Sequence, residues 1–253
     1  MDSTVLNFLY RRPDLYESVY DGSDHAVPRM CEKLFMTYLG RQPASLLDIG
    51  SGTGRDFDYF SRICNDFVGI DYQSGMVDYA RKKYPGAEWL VGDMRSFNLD
   101  RRFESIVCLG LAVNYMLSNA DVTQAMATFA RHAKPGALLI LEVINSIADP
   151  LGGRLPSDFV IDTPDFKARA HAEFHALRRQ QLLSRSRTWL TSDGETILDS
   201  VKWRLIFPME LEGYLSASGF KVLAMYDNTD LVESDLTGAS LFVVAQFGSE
   251  ASK

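Results

Sequence analysis

The spacing of apolar residues changes twice along the chain, and the changes divide it into an opening helical segment, an alternating α/β body and an insert. Residues 1–40 read as helix pieces: Pro13 suits an N-terminal turn, and Met30 to Tyr38 carries apolar residues at helical spacing. This predicts an N-terminal lid. From Ala44 onward, short apolar runs at 46–49, 67–70, 88–91, 105–109 and 138–141 alternate with helical stretches near 56–65, 75–84 and 121–133. Runs that are apolar on both faces, separated by helices, imply a parallel sheet covered on both sides. Ligands then belong at the carboxyl ends of the strands.

Between about 145 and 205 the period becomes two. Phe166, Ala168, Ala170, Ala172, Phe174 and Ala176 alternate with Lys167, Arg169, His171, Glu173 and His175, as in a strand with one apolar face. Strand-like segments at 181–191 and 196–206 flank the turn Ser192-Asp193-Gly194, so the insert is expected to be a small antiparallel sheet capping the body. Pro208 opens a helix that runs through Ser218 and ends at Gly219, and 221–226 with 240–247 supply the last two strands. With no linker-like tract or repeat, the chain reads as one domain spanning 1–253.

Composition narrows the class. The 253 residues are 46% hydrophobic and 23% charged, which excludes disordered and collagen-like chains. No apolar run reaches the roughly 18 residues of a membrane span, and the opening Met1-Asp2-Ser3-Thr4 lacks a basic flank, so a cytoplasmic protein without membrane association is expected. Cys31, Cys64 and Cys108 are far apart and odd in number, which fits reduced thiols and no metal site. A net charge of −7 argues against a nucleic-acid partner and for a small-molecule substrate. The insert from Arg154 to Arg204 holds nine Lys/Arg against seven Asp/Glu, and this small local excess leaves a carboxylate- or phosphate-bearing substrate open.

Chemistry concentrates at Leu46-Leu47-Asp48-Ile49-Gly50-Ser51-Gly52-Thr53-Gly54-Arg55, a buried strand running into three alternating glycines and a helix. Glycine allows positive φ and removes the β-carbon that would block a ligand lying on the backbone. Asp71 follows the second strand, 17 residues after Gly54, where its carboxylate can accept both hydrogens of a ribose diol. Asp93 ends the third strand in Val91-Gly92-Asp93-Met94, placed to accept from an adenine amino group. A dinucleotide-dependent dehydrogenase shares some of these features. However, G-x-G-x-G is not its G-x-G-x-x-G fingerprint, and the last two strands form an antiparallel hairpin where a second mononucleotide half would be needed.

With these residues the sequence resembles the class I S-adenosylmethionine-dependent methyltransferases over most of its length. Asp48 through Gly54 match the first motif, Asp71 the ribose-binding acid, Gly92-Asp93-Met94 the adenine-side motif, Phe103 through Leu109 the fourth strand, and Lys134-Pro135-Gly136-Ala137 the turn before the fifth. The Tyr-rich opening and the antiparallel insert are similar to small-molecule enzymes of the amino-sugar N-methyltransferase type. The resemblance implies a doubly wound, seven-stranded, mostly parallel α/β sheet in the order 3-2-1-4-5-7-6 with the last strand antiparallel. It implies S-adenosyl-L-methionine as cofactor, held by Tyr16, Tyr20, Asp48, Gly50, Ser51, Gly52, Gly54, Arg55, Asp71, Tyr72, Met76, Asp93, Met94 and Leu109, with the two tyrosines closing over the methionine end.

Methyl transfer needs little acid–base machinery, because the sulfonium already activates the methyl group and alignment supplies much of the barrier reduction. A base, if used, is expected among Asn114 and Tyr115 after the fourth strand, Glu142 and Asn145 at the fifth, and His171 or His175 in the insert. The two histidines lie roughly 13 Å apart on a strand, too far to share a metal. At least one of Arg169, His171, Glu173 and His175 is expected to face the cofactor pocket. Two other readings stay open: cleavage of a different carbon–sulfur bond of the cofactor, as in cyclases and aminocarboxypropyl transferases, and a non-catalytic cofactor-binding subunit.

Overall fold

The computed structural model describes residues 7–20, 23–148 and 156–248. Seven strands form the body: β1 (Leu46–Ile49), β2 (Phe67–Asp71), β3 (Glu88–Val91), β4 (Phe103–Cys108), β5 (Ala133–Ile144), β10 (Phe220–Tyr226) and β11 (Ser240–Phe247). They lie in the order β3-β2-β1-β4-β5-β11-β10. The first five are parallel, and β11 runs antiparallel to both β5 and β10. This is the expected order and the expected reversed strand. β4 buries five of its six residues and β5 buries the unbroken run Ala137–Leu141, as strands covered on both faces must.

Helices α1 (Pro13–Val19), α2 (Ala26–Tyr38), α3 (Phe57–Phe60), α4 (Ser74–Lys83), α5 (Asn119–His132) and α6 (Pro208–Ala217) complete the framework. α5 begins where a capping box forms between Ser118 and Asp121. The helix expected over 56–65 shrinks to α3, because the chain tightens into i→i+3 bonds from Arg62 and Ile63 back to Tyr59 and Phe60. That turn seats Phe57 and Phe60 against Phe67, with Phe57 also on the Trp89 ring. No helix among the described residues is long and apolar enough to cross a membrane.

The insert is a separate antiparallel sheet, β6-β7-β8-β9, made of Asp158–Asp162, Lys167–Leu177, Leu182–Thr191 and Thr196–Arg204. β6 carries no alternation long enough to have been anticipated. Arg154 and its immediate neighbours lie outside the described residues. The inner face presents Ala168, Ala170 and Trp189, which share a core with Leu9 and Leu15 of the N-terminal segment and with partly buried Phe8, Tyr16 and Tyr20. The lid therefore packs on the insert, and small alanines on β7 leave room for its aromatic residues. Arg169, His171, Glu173 and His175 point the other way and are exposed.

Candidate active site

A solvent-open cleft enclosing ≈ 1010 Å³ lies at the carboxyl ends of β1, β2, β3 and β4. Its floor is the turn after β1. Gly50, Gly52 and Gly54 have φ of +79°, +55° and +74°. A β-carbon on Gly50 would sit 2.5 Å from that of Ala112, and one on Gly54 would sit 2.5 Å from the Trp89 ring, whereas one on Gly52 would meet open space. Gly50 and Gly54 are thus demanded by packing, and Gly54 does not itself line the cleft. Gly52 is the residue over which a ligand can lie on bare backbone.

Asp71 is aimed by two backbone donors, the Gly52 amide to Oδ2 at 2.9 Å and the Gln73 amide to Oδ1 at 2.8 Å. Each oxygen keeps a further lone pair for the cleft, the geometry that a vicinal diol requires. Burial pushes the Asp71 carboxyl up, and the amides of Gln73, Gly52 and Tyr72 oppose that. Asp93 also lines the cleft but is tied down: Arg95 donates from Nη2 at 2.6 Å and from Nε at 3.0 Å, and its other amine reaches Asp121 at 2.7 Å. The Arg95 guanidinium holds the Asp93 carboxyl below its usual value. Arg95 is the part of this corner that the sequence reading missed.

Asp48, Asp56, Asp71 and Asp93 line the cleft with Arg55 as the single Lys or Arg among its described lining residues. Arg55 lies 3.9 Å from Asp56, sits 6.0 Å from the Tyr16 ring centroid, and donates to the Tyr20 carbonyl at 3.4 Å. Asp48 is buried, and desolvation with the nearby charges of Asp56 and Asp71 pushes its carboxyl well up. The cluster suits a ligand that brings both a cationic and an anionic group. Ser51, Tyr72, Met76, Met94 and Leu109 line the same cleft, as does Tyr16. Tyr20 does not; it stands behind Tyr16 with ring centroids 4.8 Å apart.

Several residues expected to act on an acceptor do other work. Asn114 is buried, donating to the Arg204 carbonyl at 2.7 Å and accepting from the Ile144 amide at 3.1 Å, so it pins the insert to β5. Asn145 donates to the carbonyls of Leu236 and Gly238 at 2.7 and 2.9 Å and fastens the loop before β11. Glu142 accepts from the Gly110 amide and Ser240 at 2.8 and 2.9 Å, in a recess beyond Arg55 that it shares with His25 and Asp24. His171 pairs with Asp158 at 2.8 Å and His175 lies 4.0 Å from Glu173, both rings 65% exposed on the outer face of the insert. None of Arg169, His171, Glu173 and His175 lines the cleft. The expectation failed because the lid, and not the body, occupies the inner face of β7, turning the polar face fully outward.

Tyr115 does line the cleft, together with Tyr10, which no sequence pattern singled out. Their hydroxyl oxygens are 2.7 Å apart. Burial raises the pKa of both phenols, that of Tyr10 well above its ordinary value. Tyr10 is placed from below by a buried charge cluster. Asp199 accepts from Arg185, Arg187, the Trp189 ring and the Phe8 amide, while Asn7 accepts from Arg187.

Strand order, the glycine turn and the acid after β2 together define the fold of class I S-adenosylmethionine-dependent methyltransferases. Residues 46–136 match the family described as a methyltransferase domain. The chain is 31% identical over 131 residues to a dTDP-3-amino-3,4,6-trideoxy-alpha-D-glucopyranose N,N-dimethyltransferase of Streptomyces venezuelae, covering 51% of this chain and 55% of that protein. It is 29% identical over 131 residues to a dTDP-3-amino-3,6-dideoxy-alpha-D-glucopyranose N,N-dimethyltransferase of Streptomyces fradiae, covering 51% of each. The matched stretch thus spans about half the length of these curated relatives. Among solved structures, an S-adenosylmethionine-dependent methyltransferase from Clostridium acetobutylicum superposes with a TM-score of 0.77 at 17% identity over 96% of this chain and 98% of that one. The amino pentose methyltransferase CalS10 from Micromonospora echinaspora gives 0.70 at 24% identity over 88% and 90%.

Proposed function

We propose that the protein transfers the methyl group of S-adenosyl-L-methionine to the nitrogen of a small amine, an amino sugar in type, within cytoplasmic secondary metabolism. The observation that carries the cofactor assignment is the Asp71 carboxylate, held by the Gly52 and Gln73 amides with lone pairs turned to the cleft beside bare glycine backbone. Asp71 would hold the ribose diol, and Asp93, Met94 and Met76 would border the adenine. Arg55 would face the methionine carboxylate, and Asp48 the methionine ammonium. When bound, the cofactor supplies a methyl group already activated by positive sulfur. This chain's own part is to align the nucleophile and exclude water, for which Tyr10, Tyr16, Tyr115 and Met116 form the remaining wall. The amine acceptor is supported by the activities named for the Streptomyces relatives.

Incubation with S-adenosylmethionine, with and without a dTDP-linked 3-amino-3,6-dideoxyglucose, tests the reading. S-adenosylhomocysteine should appear only with acceptor present, together with N-methylated sugar. Methylthioadenosine released without acceptor would instead establish cyclase or lyase chemistry, and cofactor binding without any product would refute this acceptor. Asp71→Ala should weaken cofactor binding in each case.

A further inference from the structure

The pair of phenols at the tyrosine wall has a direction. A hydroxyl carries one hydrogen, so the 2.7 Å contact between Tyr10 and Tyr115 uses the proton of one phenol and leaves that of the other free. The surroundings favour Tyr115 as acceptor. Arg185 exerts its positive field on Tyr115, and its guanidinium stands 5.3 Å from the Trp203 ring, which in turn lies 6.2 Å from the Tyr115 ring. That field is only partly neutralised, because Asp199 serves Arg187 as well as Arg185, and the buried Nε of Arg185 has no partner among the described residues. The Trp203 ring, packed between the Arg185 guanidinium and Tyr115, puts no acceptor there to compete for the Tyr115 oxygen, since an indole N–H only donates. With its oxygen drawn toward these positive groups, Tyr115 receives the Tyr10 proton. The Tyr10 oxygen then presents lone pairs, and no hydrogen, to the cleft it lines.

We propose that Tyr10 is a catalytic residue whose phenol oxygen accepts a hydrogen bond from the N–H of the acceptor amine and so turns the nitrogen lone pair toward the reacting methyl group. The proposal rests on the amine-methylation reading above. In each transfer the nitrogen lone pair forms the new N–C bond, the electron pair of the methyl–sulfur bond stays with sulfur, and the ammonium product gives its proton to water on release. Tyr10 keeps its own proton throughout, since burial holds it well above its ordinary pKa. A neutral primary or secondary amine has both an N–H for Tyr10 and a lone pair for the methyl group. A neutral tertiary amine has no N–H, so the contact that aims two transfers is missing for a third, and methylation stops at the dimethylamine.

Removing the two halves of this contact separately tests it. Wild-type protein and Tyr10→Phe, each saturated with S-adenosylhomocysteine, are titrated with the N-methyl and the N,N-dimethyl forms of a dTDP-linked 3-amino-3,6-dideoxyglucose. The pH is set above the pKa of both amines, so that both are neutral. Wild type should bind the secondary amine about tenfold more tightly than the tertiary one, as one net hydrogen bond allows. Tyr10→Phe should lose that preference by weakening the secondary amine alone, with S-adenosylhomocysteine affinity unchanged. Equal weakening of both amines, or a preference retained in Tyr10→Phe, overturns the proposal. Tyr115→Phe provides a second arm, because it frees the Tyr10 proton to meet the nitrogen lone pair. The tertiary amine should then bind at least as well as the secondary, and an unchanged preference overturns the assigned direction. Failure of wild type to bind either amine while binding S-adenosylhomocysteine would refute the amine reading itself and the proposal with it.

Discussion

Asp199→Ala is the perturbation for which the structure dictates the largest single loss. The carboxylate is fully buried and accepts from Arg185 at 3.1 Å, from Arg187 at 2.7 and 3.1 Å, from Trp189 at 2.9 Å and from the Phe8 amide at 3.2 Å. Its removal leaves two buried guanidiniums side by side with no counter-ion in the cluster. Breaking a buried ion pair by deleting one partner costs about 3–5 kcal/mol, because the surviving charge is uncompensated. For a chain of this size each kcal/mol lowers the unfolding midpoint by roughly 2–4 °C, so a fall on the order of 6–20 °C is expected in calorimetry. Asp199→Asn keeps the shape but removes the charge, and should fall between that variant and wild type. The loss should also reach function, since the Phe8 amide hangs on this carboxylate and Tyr10 is two residues away. Acceptor turnover should drop more than S-adenosylmethionine affinity, because Asp71 and the glycine turn proposed to hold the cofactor lie on the body. A midpoint within about 2 °C of wild type would show that the cluster is solvated or otherwise neutralised, and the account of how the insert positions the lid would fail.

Three further outcomes follow from other parts of the site. Gly54→Ala places a β-carbon 2.5 Å from the Trp89 ring at φ +74°, so thermal stability should fall by about 1–3 kcal/mol and cofactor affinity with it, while Gly75→Ala, in the first turn of α4 with open space around it, should leave cofactor affinity unchanged and raise stability by about 0.5–1 kcal/mol. Alanine at His171 and at His175, two-thirds exposed on the outer face of the insert, should leave kcat and KM at wild-type values; a tenfold loss in either variant would move the acceptor site to that face. Because Arg95 holds the Asp93 carboxyl below its usual value, this pair's contribution to stability is fully present above about pH 4 and disappears as the pH falls through the depressed folded value. Arg95→Met should therefore flatten the acid limb of a stability–pH curve below that point, and an unchanged slope there would count against the pairing.

Residues adjacent along the chain made much of this legible in advance. The strands of the body and the glycine turn follow from local apolar runs, helix punctuation and φ-permissive residues, all written in short windows, while the strand order with its reversed last strand came from the family resemblance. Asp48, Asp71 and Arg55 were readable for the same reason, since each abuts a strand end or the turn that places it. The sheet of the insert was also visible, because Ala168, Ala170 and Ala172 declare an apolar face by alternation alone.

Alternation does not say what covers that face, and here tertiary structure decided. The N-terminal segment lies on the insert, so the polar face bearing His171 and His175 meets solvent, and the tyrosine wall of the cleft is built of Tyr10 and Tyr115, 105 residues apart in sequence. Asn114 and Asn145 look like polar residues at the mouth of a site, yet each is consumed by backbone groups that no local window contains. Arg185, Arg187 and Asp199 occupy inward positions of β8 and β9, where sequence shows only charged residues interrupting an apolar face. Their pairing with each other and with Phe8 exists only once the strands register, because a buried charge is tolerable where its partners converge from distant parts of the chain.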